Sequence, residues 1–302
     1  MKNNLIQELS QRKKTDRYLS FGTYIVVILI LIGLLIFASF LVGMQWRWHF
    51  LRGRWYFDYR PHLPFEFFLY LGGWILTIMA IFLALSIIFW WYQWQLYRRR
   101  NEHIERAKSL RKNLVNWIKE KYNVEIPLWT GSEIQLSLRE QKRSTTFFIL
   151  WVIFSYIFGI VGFILTLVAW YWLTIDYYVH EQAEIHFFNQ VKKALKEKDI
   201  SFDAGISKPL PARNMVLYII LMIVPGVNLI WAVWWSYVLF KDPNTHFETH
   251  EWWESQLEKI IAAGSLQKDS ASDSPIEILK KRYARGEITR EQFQQMKEDL
   301  EK

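Results

Sequence analysis

Hydrophobic and polar positions along this chain separate into four long apolar runs, Phe21 to Val42, Phe67 to Trp91, Phe147 to Leu173 and Met215 to Phe240, all free of Asp, Glu, Lys, Arg and His. At about 1.5 Å of rise per residue, each run is long enough to cross about 30 Å of hydrocarbon as a helix. The pattern predicts an all-α integral membrane protein with four transmembrane helices, the spans lying at about 21–42, 67–91, 147–173 and 215–240. Each span has a glycine near its middle, and the last contains Val224-Pro225-Gly226-Val227-Asn228. Half of that run, about 20 Å of helix, is too short to cross, so a proline kink is expected there rather than a re-entrant hairpin.

Between the runs the period changes. Ile104, Ala107, Leu114, Ile118 and Tyr122 share one helical face, with basic residues elsewhere, which predicts a cytoplasmic helix continuing from the second span into a loop over 92–146. Ser132 to Gln135 has the form of a capping box. After the third span, Phe187, Phe188, Val191 and Leu195 mark another amphipathic helix, whose balanced charge suits the outer side. The first 20 residues read as a polar, basic cytoplasmic segment with a short interfacial helix. Between the first two spans, seven aromatics from Trp46 to Tyr59 interleave with Arg47, Arg52, Arg54 and Arg60, as expected of an aromatic belt with its counter-charges.

Internal similarity predicts a 2+2 parallel repeat. Aligning Arg17 with Arg143 matches Phe21 with Phe147, Gly33 with Gly159 and Trp46 with Trp172. Asn-x-His-[Ile/Phe]-Glu recurs at Asn101 to Glu105 and Asn244 to Glu248, just past spans two and four.

The composition agrees with a membrane protein: 52% hydrophobic and 18% aromatic over 302 residues, with 17 Trp. Of the 37 Lys and Arg, 27 fall on the side of the N-terminus, the 92–146 loop and the tail, which predicts both termini in the cytoplasm of a multi-pass cell-membrane protein. Residues 43–64 and 174–213 are then expected outside. Arg98, Arg99 and Arg100 at the membrane edge face the anionic inner leaflet of the lipid bilayer, the first expected partner.

Candidate chemistry is sparse. There is no Cys, so no thiolate metal site and no cysteine nucleophile. No phosphate loop, nucleophile elbow or kinase signature occurs, nothing suggests nucleic acid, and no span holds an ionisable residue for ion coupling. His246 and His250 are four apart near Glu248, Glu251 and Glu254, a spacing able to bind zinc, but the zincin pattern places Glu where Phe247 stands. They read as surface or interfacial histidines. His180-Glu181-Gln182-Ala183-Glu184 lacks the second His of that pattern. No catalytic, cofactor or metal residue is assigned, and no enzyme is expected. A transporter or channel subunit and a membrane metalloenzyme are the alternatives to an interaction protein.

Residues 264–273 form a small polar linker before the tail, 274–302. There Ser274 caps a helix with Pro275 at its first position, Gly286 ends it, and Thr289 with Gln292 opens a second helix by a capping box. The run Leu-Lys-x-Arg-Tyr-Ala-x-Gly-Glu-Ile-Thr-x-Glu-x-Phe at Leu279 to Phe293 resembles the SHOCT (short C-terminal) module of bacterial and archaeal proteins. The resemblance implies a prokaryotic protein and a role in oligomerisation or interaction, with no established chemistry. Leu279, Tyr283, Ile288, Phe293, Met296 and Leu300 are the expected interaction residues, engaging a second copy or a cytoplasmic protein. Gly226, Trp235, Tyr237, Asp242, Asn244 and His246 are also similar to an uncharacterised prokaryotic membrane-domain family.

Overall fold

The computed structural model describes residues 2–53, 65–126, 140–272 and 275–301. The Ser132–Gln135 capping box and the aromatic loop beyond Gly53 lie outside the described residues. Among these residues there are ten helices and no strand: α1 (Lys2–Ser10), α2 (Arg12–Thr15), α3 (Phe21–Gly53), α4 (Phe65–Tyr122), α5 (Thr145–Ile157), α6 (Gly159–Lys196), α7 (Met215–Ile223), α8 (Val227–Ser272), α9 (Pro275–Ala284) and α10 (Arg290–Glu301). Three apolar helices, Phe21–Leu41 of α3, Leu71–Tyr122 of α4 and α6, are long enough to cross a membrane.

The second span and the amphipathic segment after it form one helix, α4, as the changing period predicts. The third and fourth apolar runs are different, because each is broken near its middle. Helix α5 stops at Phe158 and α6 starts at Gly159. The two pack so closely that a Cβ on Gly162 would lie 2.4 Å from the Ser155 Cα. In the last run the break at Val224 to Gly226, where Gly226 adopts φ +81°, separates α7 from α8. The expected proline kink is therefore a turn, since Gly226 takes the left-handed conformation that lets the chain reverse.

Both hairpins share one plan. Immediately before each stands an N-cap, Ser144 accepting from Thr146 N at 3.2 Å and Asn214 accepting from Leu217 N at 3.1 Å. Just ahead of each cap an arginine closes the hairpin base with a fork of two hydrogen bonds. Arg143 donates to Asp176 at 2.9 and 2.7 Å, and Arg213 donates to Asp242 at 2.8 and 2.7 Å. These forks hold both ends of each apolar stretch at one level.

A polar body continues from the hairpin bases. Its core joins Leu5 and Leu9 of α1, Leu114 and Ile118 of α4, Phe187, Phe188, Val191 and Leu195 of α6, and Trp253, Leu257 and Ile261 of α8. The N-terminal helix is therefore packed into the body rather than lying alone at an interface. The faces predicted for α4 and α6 are both buried, against one another's neighbours. His180 of α6 lies 3.3 Å from His103 of α4, so a part of 174–213, expected outside, packs against a part of 92–146, expected in the cytoplasm.

Two further expectations change. Arg99 and Arg100 are 1% and 0% exposed, so they face the protein interior rather than lipid phosphates. Pro243 lies inside α8 and has no N–H for the carbonyl of Leu239; Arg99 Nη2 fills that vacancy at 2.6 Å. The stretch expected as a linker is helical, α8 running on to Ser272.

Candidate metal centre

Three helices leave the hairpin bases and carry histidines to one point. His103 follows the second span on α4, His180 stands one turn beyond Asp176 on α6, and His246 stands one turn beyond Asp242 on α8. His250, one turn further on α8, joins them. All four are 0% exposed, and one ring nitrogen of each lies within 4.8 Å of the others. The surface position expected for His246 and His250 is thus corrected. Their shared face of α8 points inward because α4 and α6 supply partners at the same level.

Each ring is held by its other nitrogen. His103 Nδ1 meets Asp16 at 2.8 Å, His180 Nδ1 meets Glu140 at 2.6 Å, His246 Nδ1 meets Glu181 at 3.1 Å and His250 Nδ1 meets Glu254 at 3.0 Å. An ionised carboxylate only accepts hydrogen bonds, so Nδ1 carries the hydrogen at His103, His180 and His246 and their Nε2 atoms face the centre, whereas His250 has a carboxylate on each ring nitrogen, Glu254 on Nδ1 and Glu184 on Nε2. There His103 Nε2 lies 3.3 Å from His180 Nε2 and 3.2 Å from His246 Nε2. Glu184 Oε2 adds a fifth inward donor, 2.6 Å from His250 Nε2 and 3.4 and 3.5 Å from those of His180 and His246.

The surrounding charge is mostly negative. Asp16, Glu140, Glu181, Glu184 and Glu254 are all buried, and two guanidiniums answer them: Arg106 pairs with Asp16 and Glu254, and Arg111 pairs with Glu140 and Glu184. Burial alone raises a carboxyl's pKa and lowers that of an imidazole. Against it, His103 and Arg106 hold Asp16 well below its ordinary range, and His180 and Arg111 hold Glu140 below its own. Burial prevails at His246, whose pKa is lowered. At His250 it is outweighed by Glu184 and Glu254, one on each ring nitrogen, and the pKa is pushed up to about 10.

Unshared lone pairs at this spacing repel one another unless a positive charge lies among them. In a tetrahedron of nitrogens bound at about 2.0–2.1 Å, as around zinc, the nitrogens stand about 3.3–3.4 Å apart, and the His103 contacts match that edge. The carboxylate behind every ring is the arrangement that orients metal-binding histidines. Asp16, His250 and Glu254 form a second cluster of donors, but Arg106 bridges the two carboxylates and occupies it with its own charge.

The Asn-x-His motif acquires a role here. Asn101 pairs with both backbone groups of Arg143 at 3.0 Å, and Asn244 pairs with those of Leu19 at 3.3 and 2.9 Å. Each asparagine stands two residues before a histidine of the cluster; Asn101 clamps the chain entering the α5–α6 hairpin and Asn244 the chain entering α3. His103, His180, Glu184 and Glu140 were not singled out as ligands from the sequence. A signal was present in Asp-x-x-x-His-x-x-x-[Glu/His], which occurs at Asp176 to Glu184 and at Asp242 to His250.

The tail forms its own small unit. Tyr283 of α9 stacks near Phe293 of α10 with ring centroids 5.2 Å apart. Thr289 and Gln292 exchange the two bonds of the capping box at 3.0 and 3.3 Å, and Gly286 takes φ +72°. Residues 274–301 match the family model of the Short C-terminal domain, SHOCT. No curated protein and no solved structure matches the chain. Within the SHOCT hairpin Leu279 and Ile288 are buried, whereas Tyr283, Met296 and Leu300 are 43%, 40% and 47% exposed. The structure thus brings four of the six expected interaction residues into or beside the hairpin's own contact and leaves Met296 and Leu300 on its surface.

Proposed function

We propose that this is a membrane-embedded interaction protein whose polar body closes on one divalent transition-metal ion, zinc by preference, and whose SHOCT hairpin engages a second copy or a protein partner. The convergence of four Nε2 atoms, each ring held from behind by a carboxylate, carries the metal reading. Nitrogen donors favour zinc or its neighbours over magnesium or calcium. With all four histidines at 0% exposure and Glu184 beside them, the coordination is closed, as in structural rather than catalytic zinc sites. The metal's work is mechanical, since it ties α4, α6 and α8 together at the point where they leave the membrane.

The topology that goes with this reading has α3 and α4 crossing and the other two apolar runs entering and leaving on one side. Four Lys and Arg (Arg47, Arg52, Arg54 and Arg60) then lie between the first two apolar runs, and the remaining 33 of the 37 share the side of the body. That is a stronger asymmetry than four full crossings give, and it supports a cytoplasmic body with cytoplasmic termini.

The test is elemental analysis of protein purified in mild detergent without chelators. One zinc-class ion per chain is expected, lost in His103→Ala/His246→Ala and retained in His186→Ala, which changes an exposed histidine of the same body. Folded wild-type protein holding no first-row metal, even after incubation with zinc, overturns the reading.

A further inference from the structure

The two broken apolar runs do not reach as far as the two intact ones. Helix α7 has 9 residues, so its tip at Val224 to Gly226 stands about 13–15 Å from the base that Arg213 and Asp242 close. That is half of about 30 Å of hydrocarbon. Helix α5 has 13 residues and runs obliquely, because Phe148, Trp151 and Tyr156 all gather round one residue of α4, Trp90, with ring centroids 6.1, 5.0 and 6.4 Å away.

Trp90 fixes the depth of this hairpin. Its Nε1 donates to the Tyr156 hydroxyl at 3.0 Å, and Tyr156 is two residues before the break. Along α4, Trp90 is nine residues, about 13 Å, from Arg99 at the body, and nineteen residues, about 28 Å, from Leu71. The tip of the α5–α6 hairpin therefore lies in the half of the bilayer next to the body. Both tips are apolar and face outward, with Ile160, Leu229 and Ile230 exposed by 80%, 73% and 77%.

Near the body the hydrocarbon thus holds six helices, α3 to α8, whereas the far half holds α3 and α4. A helix about 10 Å across occupies about 80 Å², so the difference is on the order of 300 Å² in one leaflet. A bilayer accommodates such an excess at least cost where that leaflet is stretched, on the outside of a bend, just as one-sided helix insertion is curvature-sensitive. We propose that the chain is a one-sided wedge whose ligand is the acyl layer of the body-side leaflet, and that it collects where that leaflet is convex. This inference does not depend on the metal.

The test uses the full chain, labelled at Ser201→Cys in a background free of other cysteines and reconstituted into giant vesicles with the body outward. Reaction with an impermeant reagent added outside verifies that orientation. In narrow tubes pulled from these vesicles the label should be enriched several-fold over the flat membrane, increasingly as the tube thins. Equal density at all radii, or depletion from the tube, overturns the proposal. Depth is read separately with Ile160→Cys and Leu229→Cys carrying a fluorophore. Quenching by lipids brominated near the chain ends, with no reactivity from the far side, is expected. Reaction of either tip with an impermeant reagent from the far side means that the hairpins cross, and the wedge is wrong.

Discussion

His103 touches every part of the centre: Asp16 through Nδ1, His180 and His246 through Nε2, and His250 ring to ring with centroids 4.5 Å apart. Removing bound metal with a chelator should lower the detergent melting temperature of wild-type protein but leave His103→Ala unmoved. A ligand bound only by the native state stabilises it by about 4 kcal/mol at a thousandfold excess over its Kd. A second residue-scale prediction concerns Gly162, where a methyl group would meet the Ser155 backbone at 2.4 Å. Gly162→Ala should destabilise the protein by about 1–3 kcal/mol, seen as a lower melting temperature, whereas Gly33→Ala, with nothing within 4 Å, should not. At this scale little of the centre was legible in the sequence. His246 and His250 stand out by their i,i+4 spacing, but His103 and His246 are separated by 143 positions, and local periodicity says nothing about residues that meet over such a distance.

At the scale of elements, the Arg–Asp forks decide that the last two apolar runs are hairpins. Asp176 is 5% exposed and answers both Arg143 and Arg100, the latter at 2.9 Å. Asp176→Ala leaves a buried guanidinium uncompensated and should cost about 3–5 kcal/mol, measured as lost thermal stability of the purified protein. Asp176→Glu, which keeps the charge, should recover part of it. The elements themselves were largely readable: the continuous α4 followed from a change of period, and the SHOCT hairpin from Gly286 and the Thr289–Gln292 capping box, the Ser274 cap lying outside the described residues. The hairpin breaks were not. Phe158 is as apolar as its neighbours, and what ends α5 there is the approach of α6 at Gly162, a tertiary contact with no local signature. Pro225 was visible, but a kink and a turn share that signal, and only the positive φ of Gly226 separates them.

For the whole molecule, the hairpin arrangement predicts that cysteines at Ser201 and at Asn113 label from the same side of intact membranes, the cytoplasmic one. Labelling from opposite sides would restore four crossings. Self-association belongs to this scale as well. The SHOCT hairpin is too small to bury much apolar surface, and units below about 40 residues usually need a disulfide, a metal or association. Deleting residues 273–302 should lower the oligomer mass in detergent, and Phe293→Asp should do the same; equal masses would remove the tail from the interface. The clamp between Asn244 and Leu19 spans 225 positions, and Glu254 answers the same Arg106 that holds Asp16. During synthesis the N-terminal helix therefore leaves the ribosome long before its partners on α8 exist. Its apolar face, with Leu5 and Leu9, gains the Leu114 and Ile118 side of its pocket once α4 is made, but the Trp253 and Leu257 side only with α8. A chain stopped short of α8 leaves that pocket half-built, so the interval before translation of α8 is when a nascent-chain chaperone or a protease would meet this protein.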